Sequence, residues 1–234
     1  MLFISPPFGN YLNLPYTKSI IGSVTIEHRP GLINNIIKTL HYSEEYKGWI
    51  NKIGLKNKGI DYVLANYHLT NKVLSIAILE KKDIPIFNKK IPTTQDLEIN
   101  ISCPNVNKSN DIIDDLHVFL HKDRKWCAVK LSPITTDYTL NKLYSKGFRQ
   151  FHCCNTLPLT YGGLSGEKLI PYNMSLINRL KQYKNVEIIA GGGIQDINTL
   201  RTYKDLGANH FSISTLCFNL PKFLYFYSQY VLQN

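Results

Sequence analysis

The sequence predicts an α/β fold, a (β/α)8 TIM barrel in which residues 1–234 form a single domain. Three observations carry this. The chain has 234 residues, close to the ~250 of a typical barrel. Eight short apolar, β-branched runs recur along it. Helix-like patterns lie between most of them. The runs are near-continuous in apolar residues, as in parallel strands covered on both faces. A doubly wound open sheet is the runner-up, disfavoured because no Gly-x-Gly-x-x-Gly follows the first run.

In chain order, strands are expected near Leu2–Ser5, Ser19–Ile26, Val73–Leu79, Asp96–Ser102, Trp126–Ser132, Gln150–Asn155, Val186–Gly192 and His210–Thr215. Helices are expected near Leu32–Leu40, Asp111–Leu120, Thr139–Ser145, Met174–Tyr183, Asn198–Leu206 and Leu220–Val231. Between Leu79 and Asp96 only about one helical turn is expected, because Pro85 and Pro92 interrupt the segment. No repeat, linker or low-complexity tail divides the chain.

Composition narrows the class. The chain is 44% hydrophobic and 19% charged, ordinary for a globular protein. Its formal charge of +10 suits small anions, but no basic run with interleaved aromatics marks a nucleic-acid groove. No apolar run approaches the ~18 residues of a membrane span. The five cysteines (103, 127, 153, 154 and 217) form neither a Cys-x-x-Cys pair nor a zinc cluster. The first residues already read as a core strand. Reduced thiols and a cytoplasmic location are therefore expected, with no metal, no membrane and no nucleic acid.

Barrel chemistry sits where strands end at the C-terminal rim. Polar residues gather at those ends here. The fourth strand runs into Asn100-Ile-Ser-Cys103-Pro-Asn105, the fifth ends at Lys130, and the sixth at Asn155-Thr156. The seventh ends at Gly191-Gly192-Gly193 and the eighth at Ser214-Thr215. Glycines let the backbone approach an anion closely, and hydroxyls one unit later complete a phosphate site. Lys130 at a barrel mouth must meet an anion or shift its pKa. Cys103 beside asparagines can be a nucleophile, a base or an inert thiol. The asparagines donate and accept together, which suits a planar ligand with imide edges. Cys127, Cys153, Cys154 and Cys217 lie in apolar segments and are expected to pack in the core.

The run Asn100-Ile-Ser-Cys-Pro-Asn105-Val resembles the signature of the dihydroorotate dehydrogenases. So do Asn155-Thr156 with Gly162-Gly-Leu-Ser-Gly166, Thr25-Ile-Glu-His-Arg-Pro-Gly31, and Asn51-Lys-Ile-Gly-Leu55. These elements occur in family order over nearly the whole chain. The resemblance implies an FMN enzyme that oxidises dihydroorotate to orotate in pyrimidine (UMP) synthesis. Cys103 would take the proton from substrate C5 while hydride passes from C6 to flavin N5. A cysteine where other members carry serine resembles the soluble classes. By the same resemblance Asn51, Gly54 and Leu55 meet the substrate carboxylate side. Asn100, Asn105, Asn155 and Thr156 hold the pyrimidine ring, with Asn100 also touching FMN. Lys130 faces the flavin N1/O2 edge, where charge develops on reduction. Ser23 and Gly166 line the flavin, and Gly192, Gly193, Ser214 and Thr215 cradle its phosphate.

The sequence departs from the pattern in places. Gly22 stands where the family usually has a lysine that contacts flavin and substrate, and Lys18 is a poor substitute. The segment from Leu79 to Asp96 and the loop after Asn105 are short. These departures motivate an alternative, an FMN- or orotate-binding barrel that has lost turnover. The basic charge motivates a second, a flavin enzyme acting on RNA like the tRNA-dihydrouridine synthases. Fumarate, NAD through a separate subunit, or oxygen would each serve as acceptor, and soluble members of the family are commonly homodimers.

Overall fold

A computed structural model describes residues 1–101 and 111–233. The strands are β1 (Leu2–Ile4), β2 (Thr17–Val24), β3 (His41–Ser43), β4 (Gly48–Asn51), β5 (Val73–Ala77), β6 (Leu97–Asn100), β7 (Cys127–Lys130), β8 (Gln150–Cys153), β9 (Leu157–Leu159), β10 (Gly162–Gly166), β11 (Glu187–Gly191) and β12 (His210–Ile213). The helices are α1 (Leu32–Thr39), α2 (Ile60–Asn66), α3 (Asp83–Lys90), α4 (Asp111–Asp115), α5 (Asp137–Ser145), α6 (Ile170–Leu180), α7 (Ile197–Asp205) and α8 (Leu220–Val231).

Eight parallel strands close a barrel in the order β1-β12-β11-β8-β7-β6-β5-β2. They are the eight expected from sequence. The remaining four form an antiparallel sheet, β3-β4-β10-β9, which the sequence reading missed, along with α2. These strands are short, partly exposed and lack long apolar runs. The segment after Leu79 also differs from expectation. It carries a two-turn helix, α3, because Pro85 falls in its first turn, where a missing N–H leaves no intrahelical bond unmade. Side chains cap three helices: Thr136 accepts from the Thr139 N–H, Asp196 from Thr199, and Asn219 from Lys222.

Strand periodicity sorts the apolar residues into two cores. Leu2, Ile21, Leu74, Leu97, Val129, Phe151 and Ile188 pack outward under the helices. Their alternates Phe3, Ile20, Val73, Ala128 and Ile189, with Trp126, form a small cluster inside the barrel. Phe3, Trp126 and His210 meet edge-to-face there, with centroids 4.9–6.2 Å apart. One step further along the strands, the interior turns polar. Ser5, Ser75, Glu98, His152 and Ser212 are all buried. The apolar plug thus floors a polar layer that opens toward the C-terminal rim.

Candidate active site

The polar layer is organised around one carboxylate. Glu98, on β6, is 1% exposed. Its Oε1 accepts from Ser75 Oγ at 2.7 Å and lies 3.5 Å from Lys130 Nζ. Its Oε2 is 2.5 Å from His152 Nδ1. Burial alone pushes the Glu98 carboxyl up. The Lys130 ammonium outweighs this together with His152 and the Ser75 hydroxyl, and the group is held at about 2. Burial pushes His152 down, so a neutral imidazole donates from Nδ1.

Hydrogen bonds carry this cluster outward to the rim. Ser75 Oγ meets Ser23 Oγ at 2.8 Å. Asn100 Nδ2 donates to Ser23 Oγ at 3.0 Å, and Asn155 Nδ2 donates to Asn100 Oδ1 at 3.3 Å. Four sequence-predicted residues (Ser23, Asn100, Lys130 and Asn155) therefore belong to one network. Glu98, Ser75 and His152 join it without having been foreseen. For Glu98 a signal existed: it lies two residues before Asn100 on the same strand face. His152 carried none, because its partner is 54 positions away.

A cleft of about 540 Å³, partly open to solvent, lies beside the network. Lys130, Asn155, Thr156, Gly166, Gly192, Gly193, Ser214 and Thr215 line it, and so do His152 and Ser165. Gly163 packs against Thr156, and Gly166 closes on Gly193, so β10 roofs the cleft. Asn51 pairs with Gly163 in that sheet. Gly54 and Leu55 follow it in a turn with positive φ. Asn51, Gly54 and Leu55 sit on the roof and its continuation, and none of the three lines the cleft. Cys103 and Asn105 lie outside the described residues.

The glycine end fits a phosphate. Gly192 and Gly193 both have φ of +82°, and a Cβ on Gly193 would meet Ile170 Cγ1 at 2.6 Å. Asn173 Nδ2 donates to the carbonyls of both Gly191 and Gly192, and Tyr203 Oη donates to the latter at 2.9 Å. Across a planar trans peptide the N–H points away from the carbonyl. Pinning those two carbonyls on the Asn173 side turns the N–H groups of Gly192 and Gly193 to the opposite side. At the start of α7 the Asp196 carboxylate takes the Thr199 N–H at 2.8 Å, so that N–H is already occupied. Ser214 Oγ donates to the Pro6 carbonyl at 2.9 Å. A glycine cradle at one end and an ammonium at the other match the phosphate and ring of FMN.

Two departures resolve. A side chain at Gly22 would begin 2.4 Å from the Ser75 carbonyl oxygen at a φ of +126°, so this backbone has no room for a lysine there. Lys18 does not replace it: its Nζ pairs with Asp96 at 2.7 Å, at the opposite, N-terminal end of the strands. Cys127, Cys153, Cys154 and Cys217 are buried free thiols, as expected. Burial pushes each up, three of them to about 12.

A sequence model of the family described as dihydroorotate dehydrogenase matches residues 8–223. The chain is similar to the catalytic subunit of dihydroorotate dehydrogenase B (NAD(+)) from Staphylococcus carnosus, at 27% identity over 92% of this chain and 81% of that one. It is similar to the Fusobacterium nucleatum protein of the same name at 29% identity, over 78% of this chain and 71% of that one. Its fold is like that of the DHODH from Eimeria tenella solved with ferulenol. The TM-score is 0.65 at 16% identity, over 92% of this chain and 75% of that one.

Proposed function

Because the chain belongs to the dihydroorotate dehydrogenase family, FMN-dependent oxidoreductases acting on a CH–CH bond, we propose that it oxidises dihydroorotate to orotate at this barrel mouth, with Cys103 as the base. One observation carries the reading. Lys130 and Asn155 share a cleft with Gly192-Gly193 and Ser214-Thr215, from four separate strand ends. When bound, FMN supplies the hydride acceptor. Gly192, Gly193, Ser214 and Thr215 hold its phosphate, with Ser23, Asn100 and Gly166 along it. Lys130 presents its ammonium to the ring edge that gains negative charge, a stabilisation strongest where water is excluded. Asn100, Asn105, Asn155 and Thr156 orient the substrate ring, and Asn51, Gly54 and Leu55 close over its carboxylate side from the roof. The Cys103 thiolate takes the proton from substrate C5.

Residues 1–234 act as one FMN-binding domain on this reading, in the cytoplasm. Among the described residues, no helix is long and apolar enough to cross a membrane. The relatives named as NAD(+)-dependent catalytic subunits support electron transfer to NAD(+) through a partner subunit.

The test is anaerobic. Purified protein is expected to be yellow, and dihydroorotate is expected to bleach it. Cys103→Ala is expected to retain FMN and lose bleaching, by ~10²-fold or more in rate. A wild-type flavin spectrum that dihydroorotate leaves unchanged refutes the assignment. It favours instead a barrel that binds FMN without turnover, the reading that Gly22 motivates.

A further inference from the structure

We propose that His152 is a positioning residue that sets how tightly Glu98 holds Lys130, and so how much of the Lys130 charge reaches bound FMN. The inference rests on the placement of Lys130 beside the flavin.

The geometry is a competition for one carboxylate. Lys130 and His152 are register neighbours on β7 and β8, so both side chains leave the sheet on the same face. They converge on Glu98 from adjacent strands. His152 takes Oε2 at 2.5 Å, and Ser75 takes Oε1 at 2.7 Å. Lys130 is left with a shared oxygen at 3.5 Å, well beyond the ~2.7–2.9 Å of a charge-assisted hydrogen bond. The barrel is built to admit the imidazole. A Cβ at Gly191 would come within 2.8 Å of His152 Nε2 and 3.0 Å of Ser212 Cβ. Only a residue without a side chain leaves His152 its place. The ring is 2% exposed and touches the cleft.

Removing the imidazole changes the balance. Oε2 of a fully buried carboxylate would lose its donor, and a charge in a dry interior draws in the nearest cation. That cation is Lys130. A closer Glu98–Lys130 pair would cancel more of the ammonium charge. His152 donates as a neutral ring, so it satisfies Glu98 without adding a charge of its own.

The experiment measures the FMN midpoint potential of the holoprotein, which reports the ratio of affinities for reduced and oxidised FMN. For a two-electron couple a tenfold change in that ratio is about 30 mV. Lys130→Met is expected to lower the potential by ~30 mV, a tenfold change. His152→Phe is expected to lower it by ~15 mV, about threefold. His152→Asn, whose amide NH₂ overlays Nδ1, is expected to restore the wild-type value. In the Lys130→Met background His152→Phe is expected to add nothing. Glu98→Gln keeps an acceptor for Ser75 and removes the carboxylate charge that faces Lys130; adding His152→Phe to it is expected to leave the potential where Glu98→Gln alone puts it. An unchanged potential in His152→Phe beside a lowered one in Lys130→Met overturns the role of His152 alone. So does a His152 effect that persists without Lys130 or without the Glu98 charge. An unchanged potential in Lys130→Met overturns the placement of Lys130 itself, and the inference with it.

Discussion

Glu98→Gln is the substitution that most directly probes the polar layer, and its effect can be worked out without any cofactor. The folded carboxyl is held at about 2 against an ordinary value of 4.5. At about 1.36 kcal/mol per unit, that depression corresponds to roughly 3 kcal/mol of folding stability. The sign follows from proton counting. Between the two values the unfolded chain binds a proton at this site and the folded chain does not. Stability therefore rises with pH through that window, is complete above about 4.5, and is lost as pH falls toward 2. Around pH 3 to 4 the site contributes close to one proton, a slope of about 1.4 kcal/mol per pH unit. Glutamine removes that slope while keeping an acceptor for Ser75, and the His152 tautomer can reverse to accept from the new amide. The assay is urea unfolding of the apoprotein at closely spaced pH values. Wild type is expected to lose about one proton's worth more stability per unit down the acid limb than Glu98→Gln. Identical acid limbs in the two proteins would show that Glu98 is not held ionised by Lys130 and its hydrogen bonds.

Other consequences concern the cradle, the floor and the thiols. Gly193→Ala strains a left-handed position by ~1–2 kcal/mol and pushes on Ile170. FMN affinity is expected to fall about tenfold, ~1.4 kcal/mol, by flavin fluorescence titration. Gly207→Ala, also at positive φ but facing only the flexible Lys181 side chain, is expected to leave FMN binding alone; equal losses in both would argue against the cradle. Lys18→Met is expected to cost ~1–3 kcal/mol of stability by leaving Asp96 short of a donor, with dihydroorotate bleaching intact. Loss of bleaching there would mean that Lys18 does serve the site. Iodoacetamide at neutral pH is expected to label the folded protein at Cys103 alone, since burial keeps the other four thiols protonated. Mass spectrometry finding Cys154 labelled at a similar rate would contradict that.

The sequence by itself determined the barrel. Strands buried on both faces must be apolar almost throughout, so β1, β2, β5, β6, β7, β8, β11 and β12 announce themselves locally. It determined the rim as well, because a polar residue just past such a strand has few other places to go; Lys130, Asn155 and Ser214 were found that way. Only the tertiary structure decided what depends on register and on partners far away in the chain. The roofing sheet is built from strands of three to five residues, too short and too exposed to show a period. Lys18 and Gly22 lie four positions apart on one strand, yet only the pairing of that strand places Lys18 at the N-terminal end beside Asp96. His152 looks like any polar residue in an apolar run until closure of the barrel brings β6 and β8 to either side of Lys130. Local patterns report which residues avoid water; which charges meet once water is gone is settled by the fold, since a buried carboxylate is stable only beside donors that the chain delivers from elsewhere.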